Sequence, residues 1–286
     1  LANDIEQQTR IEASMLNETL AFIGGGNMAR SLIGGLITQG VTPGKVVVSD
    51  PMQTQREQLA AQYGVKVTDS NIDAARQAQV IVFAVKPQEL RGVAQQLATY
   101  VSHRPLIISI AAGIRASDLQ HWLGGVPVIR TMPNRPALNG CGITGMFAPQ
   151  QVPTAQRELA ARIMNAVGKS VWVEQESLID AVTAVSGSGP AYFFLLMELL
   201  ETAGVELGLP AETARVLAIE TAYGSGLMAR TASETPAVLR QQVTSKGGTT
   251  EAALKVFEAG NLQRIVSDAV HAAATRSAEL AAQSGE

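Results

Sequence analysis

The chain has 286 residues, 46% apolar and 16% charged, with 22 Lys and Arg against 25 Asp and Glu and a formal charge of -3. That length admits two ordinary domains, and the apolar share excludes a disordered chain. The absence of a basic run argues against phosphate-driven nucleic-acid binding, the single cysteine excludes an internal disulfide, and His103, His121 and His271 lie too far apart for metal-ligand spacing, so no metal site is expected.

Residues 1–18 read as an N-terminal extension, polar and acidic and without the pattern of a signal peptide, and a cytoplasmic compartment is expected. The run Thr19-Leu20-Ala21-Phe22-Ile23 then predicts a strand, Gly24-Gly25-Gly26 a tight turn, and the segment from Asn27 a helix. A second strand is predicted at Lys45-Val46-Val47-Val48-Ser49-Asp50, at a spacing that suits a βαβ crossover. Further strands are predicted at 65–67, 80–85, 106–110 and 126–130, each beside a helical pattern, which makes 19–177 a doubly wound α/β domain with a parallel sheet. From 178 to 286 the strand-like runs vanish and an all-α domain is expected, with helices at 178–185, 191–207, 211–232, 236–242, 250–259 and 261–280. Small residues such as Ala218, Ala222, Gly224, Ser225 and Gly226 occupy more than one helix face, and charge is sparse, so burial against a second subunit is expected. No uncharged apolar run approaches the roughly 20 residues that span a bilayer, so no membrane partner is expected.

Gly24-Gly25-Gly26 stands where a dinucleotide-binding turn needs residues without a Cβ, and the helix opening at Asn27 would turn its N–H groups to phosphates. Gly24 and Gly26 match the first two glycines of G-x-G-x-x-G, and Ala29 takes the third place as a small residue. Asp50, at the tip of the second strand, reads either as a ribose ligand that favours NAD or as the residue opening the turn before Pro51, and Arg56 nearby would suit NADP. Lys86, with Ala111-Ala112-Gly113, falls at the ends of later strands, at the ligand-binding edge of such a sheet; Lys86 reads equally as a solvated surface lysine. In the helical domain, Ser186-Gly187-Ser188-Gly189-Pro190 is a glycine-rich break before a helix start. The segment Val243-Thr244-Ser245-Lys246-Gly247-Gly248-Thr249-Thr250-Glu251 opens another helix and carries four hydroxyls. It suits a small carboxylate, though standing alone it suits ordinary N-capping better, and Glu251 must point away if an anion is to bind.

With these residues the chain resembles pyrroline-5-carboxylate reductase from about Thr19 to Leu280. The resemblance is carried by Phe22-Ile23-Gly24-Gly25-Gly26-Asn27-Met28, Ala84-Val85-Lys86-Pro87, Arg130-Thr131-Met132-Pro133-Asn134, Ser186-Gly187-Ser188-Gly189-Pro190-Ala191-Tyr192, and the stretch from Pro236 through the hydroxyl loop to Glu258. Two positions depart from the family's habit, Arg135 where Thr is common and Lys246 where Pro often stands. The resemblance implies a Rossmann-like domain followed by an all-α dimerisation domain, in a homo-oligomer that is a dimer or a ring of dimers. It implies reduction of 1-pyrroline-5-carboxylate to L-proline by NADP or NAD in reduced form. By the same resemblance the cofactor contacts Ile23, Gly24, Gly25, Gly26, Asn27, Met28, Asp50, Asn71, Ala84, Val85, Lys86, Pro87, Ile110, Ala111 and Ala112. The substrate carboxylate falls to Ser245 and the backbone of Gly248, Thr249 and Thr250, with Glu176 and Gln242 lining the pocket, and Thr250 is the catalytic residue at the ring nitrogen.

A protonated cyclic imine needs no strong acid or metal for hydride addition, so positioning carries much of the work. A β-hydroxyacid dehydrogenase shares the two-domain plan, but no lysine lies between Lys169 and Lys246 to serve it. A reductase of another cyclic imino acid and a non-catalytic NAD(P)-binding protein remain the alternatives.

Overall fold

In β1 (Leu20–Ile23), successive side chains enter opposite apolar layers: Leu20 and Phe22 join one, Ala21 and Ile23 the other, and all four are buried. Such a strand must be covered on both faces, which is why its sequence is a continuous apolar run. The computed structural model describes residues 16–285, so most of the N-terminal extension lies outside the described residues.

The described sheet continues with β2 (Val46–Ser49), β3 (Lys66–Thr68), β4 (Val80–Phe83), β5 (Leu106–Ser109), β6 (Val128–Pro133), β7 (Gly142–Phe147) and β8 (Gly168–Trp172), in the order β3-β2-β1-β4-β5-β6-β7-β8. The strands from β3 to β6 pair in parallel, as expected, but β7 runs antiparallel to β6, and β8 follows β7 in parallel. These last two strands lie outside the six expected from the sequence, and the sheet is mostly parallel. Two glycines in Gly142-Ile143-Thr144-Gly145-Met146-Phe147 dilute the β signal, and the edge strand β8 is polar and largely exposed.

One face is covered by α1 (Asn27–Thr38) and α2 (Gln53–Tyr63), through Leu32, Ile33, Leu36 and Leu59. The other carries α3 (Asn71–Ala75), α4 (Pro87–Leu97) and α5 (Ala116–Trp122), through Ala75, Leu90, Leu97 and Leu119. The last helix between strands, α6 (Thr154–Asn165), returns to the first face with Ile163 and Met164. Pro87 opens α4 at a position where its missing N–H costs nothing.

The chain then forms α7 (Leu178–Val182) and a π-helical turn at Thr183–Gly187. The first compact unit runs through this turn to Gly187 and resumes at Ala273, whereas the second is Ser188–Ala272. By contact the first unit runs ten residues past 178, because α7 and the π-turn bury Ile179 and Ala184 and Val182 packs on Gly145 of β7. Ser277 donates to Asp180 Oδ1 at 2.7 Å and so holds the C-terminal segment to α7.

The second unit contains α8 (Gly189–Glu206), α9 (Ala211–Thr231), α10 (Pro236–Gln242), α11 (Thr249–Ala259) and the first part of α12 (Leu262–Gly285). Small residues bring α8 and α9 together, Gly204 lying against Ala214. Within Ser188–Ala272 only Gly189, Ala214 and Ala218 are buried, while Phe193, Leu199, Leu217, Tyr223 and Ile265 are exposed. The helical stretch Leu178–Glu206 is 29 residues long with a mean hydropathy of 1.2, so by length and composition alone it could cross a bilayer.

Candidate active site

Strand order reverses between β1 and β4, and the carboxyl edge at such a switch point forms a crevice. Ala84 N–H donates to Ile23 O at 2.8 Å there, and Gly24 N–H donates to Ser49 O at 2.8 Å. Gly24 has φ +99°, and a Cβ on it would lie 2.7 Å from Ala84 O, so turn geometry and the approach of β4 both exclude a side chain. Gly26, the N-cap of α1, is extended and exposed, and a Cβ on it would meet nothing within 4 Å. No protein acceptor among the described residues takes the N–H of Asn27, Met28 or Ala29, while Arg30 N–H returns to Gly26 O at 2.9 Å. Open space beside Gly26 and free N–H groups at a helix start form a cradle that fits a pyrophosphate.

Asp50 serves the turn itself. Its Oδ2 accepts from Gly25 N–H at 2.9 Å and its Oδ1 from Met52 N–H at 2.8 Å, while Arg56 Nη1 donates to the carbonyls of Asp50 and Pro51 at 2.8 and 3.0 Å. Asp50 therefore opens an Asx-type turn at the tip of β2 and lies beside the glycine loop. Asn71, the first residue of α3, accepts from Ser49 Oγ at 2.7 Å and so borders the same strand end. Val85 and Lys86 continue from Ala84 into α4, with Lys86 exposed at the N-cap and Pro87 at the first helical position. Ile110 N–H donates to Phe83 O at 3.1 Å and Ala111 N–H to Ser109 Oγ at 3.3 Å, which sets Ile110, Ala111 and Ala112 along the end of β5. Every cofactor residue expected from the sequence thus lies at or next to the carboxyl ends of β1, β2, β4 and β5.

Thr250 and its neighbours lie in the second unit. Gly248 is the N-cap of α11, and its N–H donates to Ser245 O at 3.0 Å, so that N–H is engaged within the loop. Among the described residues the N–H groups of Thr249, Thr250 and Glu251 have no protein acceptor, nor have the hydroxyls of Ser245, Thr249 and Thr250. Thr244 is spent internally, donating to Arg240 O at 2.6 Å. Glu251 folds back to accept from Gly247 N–H and pairs with Lys255 at 2.8 Å. Lys255, then Gly247 N–H, hold its carboxyl below the ordinary carboxylate range. The one acidic group of the loop is thus neutralised and turned back, which leaves a helix N-terminus with three N–H groups and three hydroxyls for an anion.

Gln242 ends α10 and is exposed, and Lys246 is exposed as well. Glu176 belongs to the first unit. Its Oε1 accepts from Ala116 N–H at the start of α5 at 2.6 Å and from Arg130 Nη1 at 3.1 Å, and it lines a cavity of about 710 Å³ with Ser117, His121 and Phe147. Arg130, buried in β6, is the partner that sequence reasoning missed, since 46 residues separate it from Glu176 and no local pattern links them.

Residues 176–280 match the family model described as pyrroline-5-carboxylate reductase dimerisation, and residues 19–113 match that described as NADP oxidoreductase coenzyme F420-dependent. A pyrroline-5-carboxylate reductase of Pseudomonas aeruginosa is 50% identical over 273 residues, covering 95% of this chain and 100% of the relative. The chain belongs to the pyrroline-5-carboxylate reductase family. A solved pyrroline-5-carboxylate reductase of Coxiella burnetii superposes with a TM-score of 0.90 at 42% identity, covering 92% of this chain and 98% of that one. The Plasmodium falciparum pyrroline carboxylate reductase with NADP bound gives 0.81 at 29% identity, covering 93% and 99%. As a member of the pyrroline-5-carboxylate reductase family, the chain is an NAD(P)H-dependent oxidoreductase with a Rossmann-like domain and an all-α dimerisation domain. The unburied apolar helices of Ser188–Ala272 agree with a homo-oligomer.

Proposed function

We propose that this chain reduces the C=N bond of 1-pyrroline-5-carboxylate to give L-proline, the last step of proline biosynthesis. The observation that carries the reading is the start of α11, where free N–H groups and hydroxyls gather on a helix N-terminus whose own carboxylate is turned back. A small anionic imino acid is the ligand such an end takes. When bound along the glycine turn, Asp50, Asn71, Ala84 to Pro87 and Ile110 to Ala112, the reduced nicotinamide supplies a hydride.

Ser245 and the N–H groups of Thr249 and Thr250 hold the substrate carboxylate. Gly248 shapes the loop through its bond to Ser245 O, so its contribution is to conformation. The Thr250 hydroxyl, without an internal partner, hydrogen-bonds the ring nitrogen and orients the C=N bond. Gln242 borders the loop. Glu176 acts in the first unit by capping α5 and pairing with Arg130. The assembly is a homo-oligomer, a dimer or a ring of dimers. A cytoplasmic compartment, where the exposed Cys141 thiol stays reduced, completes the reading.

The test is oxidation of NADPH and of NADH with pyrroline-5-carboxylate and with a six-membered analogue, for wild type and Thr250→Ala. Turnover fastest on the five-membered ring is expected, with kcat lowered about 100-fold in Thr250→Ala and cofactor affinity unchanged. Preference for the six-membered ring would assign another cyclic imino acid, and cofactor binding without oxidation would make the chain a non-catalytic binder.

A further inference from the structure

Two sequence motifs, Arg130-Thr131-Met132-Pro133-Asn134 and Ser186-Gly187-Ser188-Gly189-Pro190, have no part in the chemistry above. In the structure they meet. Helical continuation from α7 into α8 would pair Ser186 O with the N–H four residues on, but that residue is Pro190 and has none. Ala191 N–H is turned to Ser188 O at 3.0 Å. The stranded carbonyl of Ser186 is taken by Asn134 Nδ2 at 3.1 Å. Asn134 Oδ1 at the same time accepts from Ile143 N–H of β7 at 2.9 Å, and the residue is only 8% exposed.

Both partners are backbone groups of fixed polarity, so the orientation of the amide is dictated: oxygen toward Ile143, nitrogen toward Ser186. An aspartate could serve the first and would oppose the second. Met132, two residues earlier on β6, closes on Gly187, where an added Cβ would lie 2.8 Å from its Cε. The end of β6 thus grips the π-turn at the residues where the first compact unit ends, immediately before α8 begins.

We propose that Asn134 is a positioning residue for imine reduction: its amide takes the carbonyl that Pro190 leaves unpaired and so fixes the backbone of the π-turn up to the start of α8. The effect on turnover rests on the function proposed above, whereas the clamp itself does not. A π-turn gripped in this way holds one conformation instead of fraying. Small misplacement of a group that orients substrate is costly, of the order of 100-fold in rate for about 1 Å.

The test uses the full chain with Asn134→Asp, which keeps the acceptor for Ile143 and loses the donor to Ser186. Three quantities are read: kcat/KM for pyrroline-5-carboxylate, the Kd of NADPH by nucleotide fluorescence, and amide hydrogen exchange. A fall of about 10- to 100-fold in kcat/KM is expected, with NADPH affinity unchanged and faster exchange confined to residues 183–192. Unchanged kcat/KM, an equal loss of NADPH affinity, or faster exchange spread through the sheet would overturn the proposal. Pro190→Ala is the second variant, because it restores an N–H that competes with Asn134 for Ser186 O while leaving Asn134 in place. It is expected to lower kcat/KM without lowering Tm, and wild-type kcat/KM in Pro190→Ala overturns the proposal even where Asn134→Asp does not fold. If the wild type itself fails to turn over pyrroline-5-carboxylate, the proposed reaction is what has failed, and unchanged exchange across 183–192 in Asn134→Asp would separately remove the clamp.

Discussion

Gly24 and Gly26 lack a side chain for different reasons, and the difference can be measured. At Gly24 a Cβ would strike Ala84 O, so substitution there damages the fold itself. At Gly26 a Cβ fits the protein alone and fills only the space left for a ligand. Gly26→Ala is therefore expected to keep the wild-type Tm while weakening NADPH binding by about tenfold or more, read by calorimetry and nucleotide titration; a Tm loss in proportion to the affinity loss would contradict the cradle. Glu251 gives a pH dependence at the same scale. Its carboxyl is held below the ordinary range by Lys255 and then Gly247 N–H, so its contribution to α11 is complete above the unfolded value of about 4.3 and is lost as pH falls through the lower folded value. The Gly247 amide resonance should follow that acid titration, and an unmoving resonance down to acid unfolding would remove the contact.

Among the elements, α5 depends on a residue far outside it. The helix has no side-chain cap of its own, and Glu176 supplies one from 60 residues away while neutralising the buried Arg130. Glu176→Ala leaves that guanidinium unpaired, with a cost of about 3 kcal/mol and a Tm roughly 6–12 °C lower, observable by thermal denaturation; a Tm within 1–2 °C of wild type, approximately, would show that the pair is replaced by solvent. The strands β1 to β6 and the helices of the second unit were legible in the sequence because each carries its own period and punctuation, such as Gly24 to Gly26 after β1 and Pro236 opening α10. β7 and β8 were not, because glycine and polar residues replace the apolar run and their pairing is decided by neighbours. The candidate site divides in the same way. The glycine turn and the hydroxyl loop could be read locally, whereas the engagement of Asp50 with Gly25, of Glu176 with Arg130 and of Gly248 with Ser245 is set by the folded backbone.

At the scale of the whole molecule, Ser188–Ala272 has almost no interior of its own, and a unit of that size cannot repay its conformational entropy with three small buried residues. Its stability must depend on another copy, so Tm should rise with protein concentration. Leu199→Asp, on an exposed face of α8, should shift sedimentation toward smaller species and lower the helical signal; a monomeric wild type with full helicity at nanomolar concentration would end this account. The sequence by itself determined the strands β1 to β6, the helices of the second unit, the turn that opens α1 and the loop that opens α11, because apolar period, glycine and proline act over a few residues. Only the tertiary structure decided that β7 reverses direction, that Glu176 caps α5, and that Asn134 takes the carbonyl Pro190 cannot serve. Those contacts join groups 9 to 60 residues apart, and which distant donor meets which acceptor is settled only when the packed elements bring them together.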